Sequence, residues 1–416
     1  MQKYDVAVIG GGFAGVGAAI AAARGGARVI LIEKGNCLGG AASHCLVNPF
    51  MRFTTNIDGE KIALSDGIFT EIWENIKSIN AYKYLGFLEE ELKFILNNML
   101  EEAGVQLLYH AYLCGVDVEN ESVKAVSLAT KNGIIKIEAD YFIDATGDAQ
   151  TAFLAGCPTS LGRDEDNLCQ PMTLCFRLGN VDVKTFWDDR PELKVKHKKA
   201  LENGELINPK ENILVFEMPA DNVLHFNTTR VVKKNPTDVF DVTEAEILAR
   251  KQVHEMHEFL KKNAKGVENS FLMQTASEIG VRESRMIVGD YRLTEQDCKD
   301  CKKFPDAIAA CNYAIDIHNP EGTGTSLYHF PEGEYYTIPY RSLIPLGVNN
   351  MLVAGRCISS EHGAQASYRI IPCVCTIGEA AGTAAAIAVK DKATFRGVDV
   401  EKLQNTLKKN KAFIGI

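Results

Sequence analysis

Three glycines and one acid stand where their spacing does chemistry. Gly10, Gly12 and Gly15 follow the apolar run Tyr4–Ile9 in the order G-x-G-x-x-G, and Glu33 closes a second apolar run, Val29–Ile32. Gly10 permits a tight turn out of a strand, and Gly12 leaves room for a pyrophosphate against the backbone. Gly15 lets a helix pack close to that strand. The amides opening that helix, around Phe13 and Ala14, then face the phosphates. Glu33 is placed to accept hydrogen bonds from a ribose diol. Strand, turn, helix, second strand and acid fall in register within one βαβ unit, which predicts a dinucleotide site.

A second set of chemically able residues lies in the second half of the chain: Arg282, Arg285, His318, Arg341, His362 and Arg369. Arginine recognises carboxylates or phosphates through a bidentate fork, and histidine exchanges a proton near neutral pH. Taken singly, each arginine fits an ion pair with a neighbour such as Glu283 or Glu379 equally well, and each histidine fits a satisfied structural role. Taken together, in a chain of net charge −9, they point to a polar, anionic substrate. Arg341 and Arg369 are expected to flank the segment above the cofactor, with His318 or His362 as proton partner.

The elements that must position these groups follow from length and texture. A chain of 416 residues exceeds one ordinary core, so two domains are expected. Gly35 to Ser43 is a loop poor in side chains, placed to touch a ligand over the first turn. Residues 88–103 carry a helical apolar period, and strands follow around Leu107–Val118, Val123–Ala129 and Ile134–Ala139. Asn132-Gly133 is a hairpin signal. Tyr141 to Asp148 reads as a strand ending in a small-residue turn.

From 166 to 335 the texture changes to loops marked by Pro171, Pro191, Pro209 and Pro219, with Thr243 to Glu246 as a capping box opening a helix to about Asn263. Asn350 to Arg356 returns as a buried strand. Gly378 to Ala388 is a small-residue helix, suited to lie beside a flat ligand, with its opening amides near Thr376–Gly378. The nucleotide domain is therefore discontinuous, residues 1–165 and 336–416, with 166–335 inserted as a cap over the ring end of the ligand. The fold class is α/β, a Rossmann-like domain carrying an inserted β-rich (α+β) substrate domain.

Composition excludes other classes. With 46% hydrophobic and 24% charged residues the chain reads as globular. The acidic balance argues against nucleic acid or an anionic membrane as partner, and the basic run Lys194 to Lys199 reads as a solvated helix face. No apolar run reaches a membrane span near the N-terminus, so a cytoplasmic location is expected, with the 12 cysteines as reduced thiols. Cys298-Lys299-Asp300-Cys301 lacks the second pair or histidines that zinc requires, so no metal site is expected.

The fingerprint with Glu33, the end Ala145-Thr146-Gly147-Asp148, and Val353-Ala354-Gly355 with its small-residue helix together resemble the glutathione-reductase-type FAD family. More narrowly, the chain is similar to FAD-dependent oxidoreductases distantly related to the succinate dehydrogenase and fumarate reductase flavoproteins. The stretches that carry this are Leu38-Gly39-Gly40, Asp144–Asp148, Arg282–Arg285, Asp316–His318, Ile338–Pro345, Ala354–Ser359, Arg369–Pro372 and Gly378–Gly382. The resemblance implies noncovalent FAD held by Gly10, Gly12, Phe13, Ala14, Gly15, Glu33, Lys34, Gly39, Gly40, Ala41, Ser43, Leu113, Ala145, Thr146, Gly147, Asp148, Gly355, Arg356, Ile377 and Gly378. Arg356 stands where commoner relatives have an acid, and His44 is out of register for covalent attachment. A second glycine fingerprint for NADPH is absent.

The function expected is hydride transfer between flavin N5 and a polar, anionic or hydroxylated small organic molecule. The alternatives are a flavin monooxygenase and a non-catalytic or electron-relay flavoprotein, although no cluster-binding cysteine pattern supports a relay. The substrate, the reaction direction, the electron partner and the oligomeric state are not written in the sequence.

Overall fold

The computed structural model describes residues 3–416. Strand β1 (Tyr4–Ile9) leads through the glycine turn into helix α1 (Phe13–Arg24) and strand β2 (Val29–Ile32). Around β1 a parallel sheet forms in the order Gln106–Leu108, β2, β1, then the end of Gly133–Asp144, with Met351–Val353 on its far side. Every residue of β2 is buried, as expected of a strand covered on both faces.

The strands expected at Ile134–Ala139 and Tyr141–Ile143 are one continuous strand, Gly133–Asp144. Its first half pairs antiparallel with Ser122–Thr130, which pairs with Tyr112–Glu119. Gly133 turns the hairpin at φ +102°, a conformation natural to glycine.

A second unit has its own core. Strands Val215–Glu217, Leu224–Phe226, Phe176–Gly179 and Phe271–Thr275 form an antiparallel sheet in that order. Phe176 and Phe226 stack at 4.9 Å on one face, in a core shared with Val253, Met256 and Leu260 of helix Val239–Asn263. That helix starts earlier than the capping box at Thr243 suggests. Asp238 caps it by accepting the amides of Phe240 and Asp241. Pro191, expected in a loop, lies inside helix Val183–Glu202, whose buried Phe186 and Leu193 anchor it on either side. The basic run at 194–199 lies on this helix with most of its lysines exposed.

The second core gathers residues 172–281 with Leu46. Leu293, Phe304, Ile308 and Cys311 pack with the first unit instead, because Ala307–Cys311 pairs with Tyr336–Pro339. The hydrophobic packing therefore closes the inserted unit near 281 and not at 335.

Helix Ile371–Asp391 is long and apolar enough to cross a membrane, yet its apolar window is wholly buried inside the protein. Its small residues face α1. A Cβ on Gly378 would stand 2.0 Å from the Ala14 carbonyl oxygen, and one on Gly382 2.0 Å from that of Ala18. The run expected to lie beside a flat ligand lets two backbones touch.

Candidate functional site

Register brings four strand ends to one edge. Ile9 pairs with Ile32 and Asp144, and Asp144 with Val353. Gly10, Glu33, Ala145 and Ala354 therefore follow in line at the carboxyl edge, where parallel α/β sheets receive ligands. The three fingerprint glycines answer to different demands. A Cβ on Gly10 would lie 2.4 Å from the Ala145 oxygen, and one on Gly15 1.8 Å from the Gly10 oxygen. A Cβ on Gly12 would meet nothing nearer than the Gly40 Cα at 3.9 Å. The protein itself requires the outer two, whereas the space above Gly12 stands open to a ligand.

The loop after β2 builds one wall. Gly39 donates its amide to the Gly11 oxygen at 2.8 Å and bridges Gly12. Glu33 receives the amides of Gly11 at 2.6 Å and Gly35 at 2.7 Å, one on each carboxylate oxygen. Gly40 caps the short helix Ala41–His44. Within it, the buried Ser43 Oγ has no protein partner. Lys34 forms an ion pair at 2.9 Å with Glu278 of the inserted unit. The Phe13 ring turns into an aromatic cluster with Phe50 and Phe69, so only its backbone is available to a ligand. Leu113 is a core residue of Tyr112–Glu119, just beyond Ala111, whose amide donates to the Glu33 carbonyl at 3.2 Å. His44 Nε2 lies 3.3 Å from the Cys37 carbonyl.

The opposite wall is the turn at 145–148. Asp144 is buried and accepts the amides of Thr146 and Ala152 and the Thr146 hydroxyl at 2.6–3.0 Å. Burial pushes its carboxyl upward. Asp148 pairs with Arg356 at 2.7 Å and accepts from the Ser284 hydroxyl at 2.5 Å. Arg356 lies over Gly147, and its buried Nε has no partner. Gly355, at φ +101°, sits on Ala14. The open space over Gly12, at the carboxyl edge of the parallel sheet, suits an elongated phosphate-bearing nucleotide.

Ile377 and Gly378 are placed differently from expectation. The closing helix starts at Ile371, behind Ile370 and with Pro372 in its first turn. Ile377 is wholly buried in the first core, and Gly378 abuts Ala14. The amides left free by the helix's own bonding are those at 371 and 373, whereas by 377 the helix bonds its own amides.

The second set of residues converges where the two units meet. Arg369 Nη2 lies 3.4 Å from Gln170 Oε1 and 3.3 Å from the Asp316 carbonyl. The same Gln170 oxygen accepts the His318 amide at 3.4 Å. Gln170 donates its own amide to Glu283 at 2.8 Å, and the other Glu283 oxygen holds His362 Nδ1 at 2.8 Å. Arg282 donates to the Pro171 carbonyl and the Thr173 hydroxyl at 2.7 and 2.6 Å. Burial, with Arg369 nearby, lowers its guanidinium to about 10. Burial and Arg282 push His318 down to about 3, which favours a neutral ring at pH 7 and speaks against the expected role of proton partner. Asp316 is held well below the usual carboxylate range: burial opposes its charge, but His318, Arg369 and Arg282 overcome that.

Arg341 does not join this group. Its Nε and Nη2 grip Asp306 at 2.9 and 3.2 Å, its guanidinium lies over Tyr291, and its side chain is 46% exposed. Arg285 packs over Phe153. Two buried cations that sequence reasoning missed do join. Arg230 contacts Glu211, His318 and Thr325, and Lys210 lies in the field of Arg282, Arg230, Glu211 and Asp316. Neither lies in a motif; only their burial among polar residues betrays them.

A Rossmann-like unit closed by its own C-terminal segment, with an inserted unit meeting it over a polar seam, is the architecture of a two-domain flavin enzyme. The chain belongs to the FAD dependent oxidoreductase family, whose model matches residues 5–407. Its cofactor is FAD, and it is an oxidoreductase.

The fold is similar to the p-nitrophenol 4-monooxygenase of Pseudomonas putida DLL-E4, at 11% identity, 100% of this chain, 90% of that one and TM-score 0.49. It is similar to a geranylgeranyl bacteriochlorophyll reductase-like protein of Thermoplasma acidophilum, at 14%, 98%, 84% and 0.48. It is also similar to the L-proline dehydrogenase of P. horikoshii, at 12%, 99%, 99% and 0.47. No curated protein matches the sequence.

Proposed function

We propose that the enzyme transfers hydride between FAD and a small polar organic substrate bearing an anionic group, held in the seam between the two units. The observation that carries this reading is Arg369. Its side chain is 16% exposed, its Nε is buried without a partner, and its Nη2 contacts are long, at 3.3–3.4 Å. A guanidinium so lightly bonded retains a fork for a carboxylate or phosphate. It directly precedes the closing helix, whose first amides add positive potential.

FAD supplies the hydride donor or acceptor. Arg369 and Arg282 orient the substrate's anionic end. Glu283 can only accept, so His362 carries its proton on Nδ1 and leaves Nε2 free to take or give a proton. We assign Gly12, Gly39, Gly40, Ser43, the turn 145–148, Gly355 and Arg356 to the cofactor.

Anaerobic mixing of the holoenzyme with small hydroxy acids and amino acids tests this. Loss of oxidised-flavin absorbance is expected with a carboxylate and not with its methyl ester. Bleaching by both alike would remove the anionic requirement. A requirement for oxygen during turnover would favour a monooxygenase instead.

A further inference from the structure

Three cations are buried in the described residues, and two of them have a carboxylate: Arg177 has Glu89 and Arg230 has Glu211. The third, Lys210, is 3% exposed, and its ammonium makes no ion pair or hydrogen bond with any described residue. A buried charge normally persists only when paired. Arg282, Arg230, Glu211 and Asp316 act electrostatically on Lys210, and Lys210 acts on His318, with Arg369 3.9 Å from Asp316. Among these groups three arginines stand against two carboxylates, one positive charge in excess, while Glu283 is engaged by His362 and the Gln170 amide.

We propose that Lys210 selects substrate by charge: it takes up a proton from solvent as a ligand with two negative charges, a dicarboxylate or a phosphate- or sulfate-like dianion, enters the seam. This rests on the anionic-substrate reading above and names its charge class. A monoanion is matched by the arginine excess alone, whereas a second negative charge calls for the second positive one.

The groups that act on Lys210 are silent in the neutral range. Burial and Arg282 hold His318 near 3, and Asp316 is far below neutral. Glu211 also stays low: burial opposes its charge, but backbone hydrogen bonding and Lys210 keep it ionised. Arg282 releases its proton only near 10. Lys210 itself is brought to about 7 by burial and by Arg282 and Arg230. Between pH 6 and pH 8 its charged fraction falls about tenfold, and the apparent affinity of a ligand that needs the charged form falls with it.

The test is calorimetric titration of the FAD-loaded enzyme with oxalate, sulfate and acetate at pH 6, 7 and 8, in two buffers of different ionisation enthalpy. Oxalate and sulfate are expected to bind about tenfold more tightly at pH 6 than at pH 8, with uptake of about half a proton at pH 7, and acetate to bind almost independently of pH. Lys210→Met should abolish the uptake and the dianion preference. Lys210→Arg should keep the preference and make it independent of pH, and it controls for misfolding of the methionine variant. Dianion binding with a flat pH profile in the natural enzyme, or an unchanged profile in both variants, overturns this proposal alone. Failure of all three anions to bind overturns the anionic-site reading and this proposal with it.

Discussion

Arg230 Nη2 lies 3.1 Å from His318 Nδ1. An arginine only donates, so that ring nitrogen accepts and the proton sits on Nε2, which faces Asp316 Oδ2 at 3.4 Å. A histidine fixed this way is a spacer between two charges. Nitrogen-15 NMR is expected to show the Nε2–H tautomer with no titration between pH 5 and pH 8. A midpoint near 6.5 would return His318 to the list of proton carriers.

Arg369 and Arg341 separate by what already occupies them. Arg341 is spent on Asp306, whereas Arg369 is lightly bonded. Arg369→Ala should weaken binding of a carboxylate probe by ~1.5–3 kcal/mol, as for one lost charged hydrogen bond. Arg369→Lys should recover part of that, because lysine keeps the charge and loses the fork. Arg341→Ala should leave probe affinity unchanged, read from the flavin difference spectrum.

Gly12 and Gly382 offer a paired test of cofactor and fold. Gly12 has φ −69° and open space above it, so Gly12→Val should fold normally and lose FAD. Gly382→Ala drives a Cβ to 2.0 Å from the Ala18 oxygen and should cost about 1–3 kcal/mol or more of stability through helix separation. Bound flavin after gel filtration and denaturant midpoints distinguish the two.

Glu379 ties the closing helix to another. It is 2% exposed and accepts the Ile68 amide at 2.9 Å. Burial raises its carboxyl from 4.5 to about 7. Between those values the folded protein holds a proton that the unfolded chain has released, so stability falls as pH rises through the window and stays lost above it. Glu379→Gln keeps an acceptor for Ile68 and removes the charge. It should stabilise the protein at pH 8 by up to about 3 kcal/mol and change little at pH 4, which denaturant unfolding at both pH values will measure.

Local chemistry was legible in the sequence. The glycine turn, the hairpin at Gly133 and the exposed face at 194–199 depend on neighbours within a few positions, and all three appear where their residues predict. Partners far along the chain were not legible. Small residues at 378–388 announce a close approach without saying to what, and α1 sits more than 350 positions earlier. Arg341 finds Asp306 across 35 positions. The inserted core ends near 281 because the pairing of 307–311 with 336–339 draws that stretch into the first unit. Lys210 and Arg230 acquire their meaning only from burial, which no local spacing encodes.

Flavin-linked hydride transfer with an anionic substrate held in the seam at Arg369 is the proposed activity. Its most direct test is anaerobic stopped-flow reduction of the enzyme by a panel of hydroxy and amino acids, each beside its neutral ester, in the natural protein and in Arg369→Ala. At least one acid is expected to bleach the flavin, its ester to fail, and the variant to need at least about tenfold more acid, the least that one lost charged hydrogen bond implies. Equal bleaching by acid and ester, with equal concentration dependence in both proteins, would contradict it.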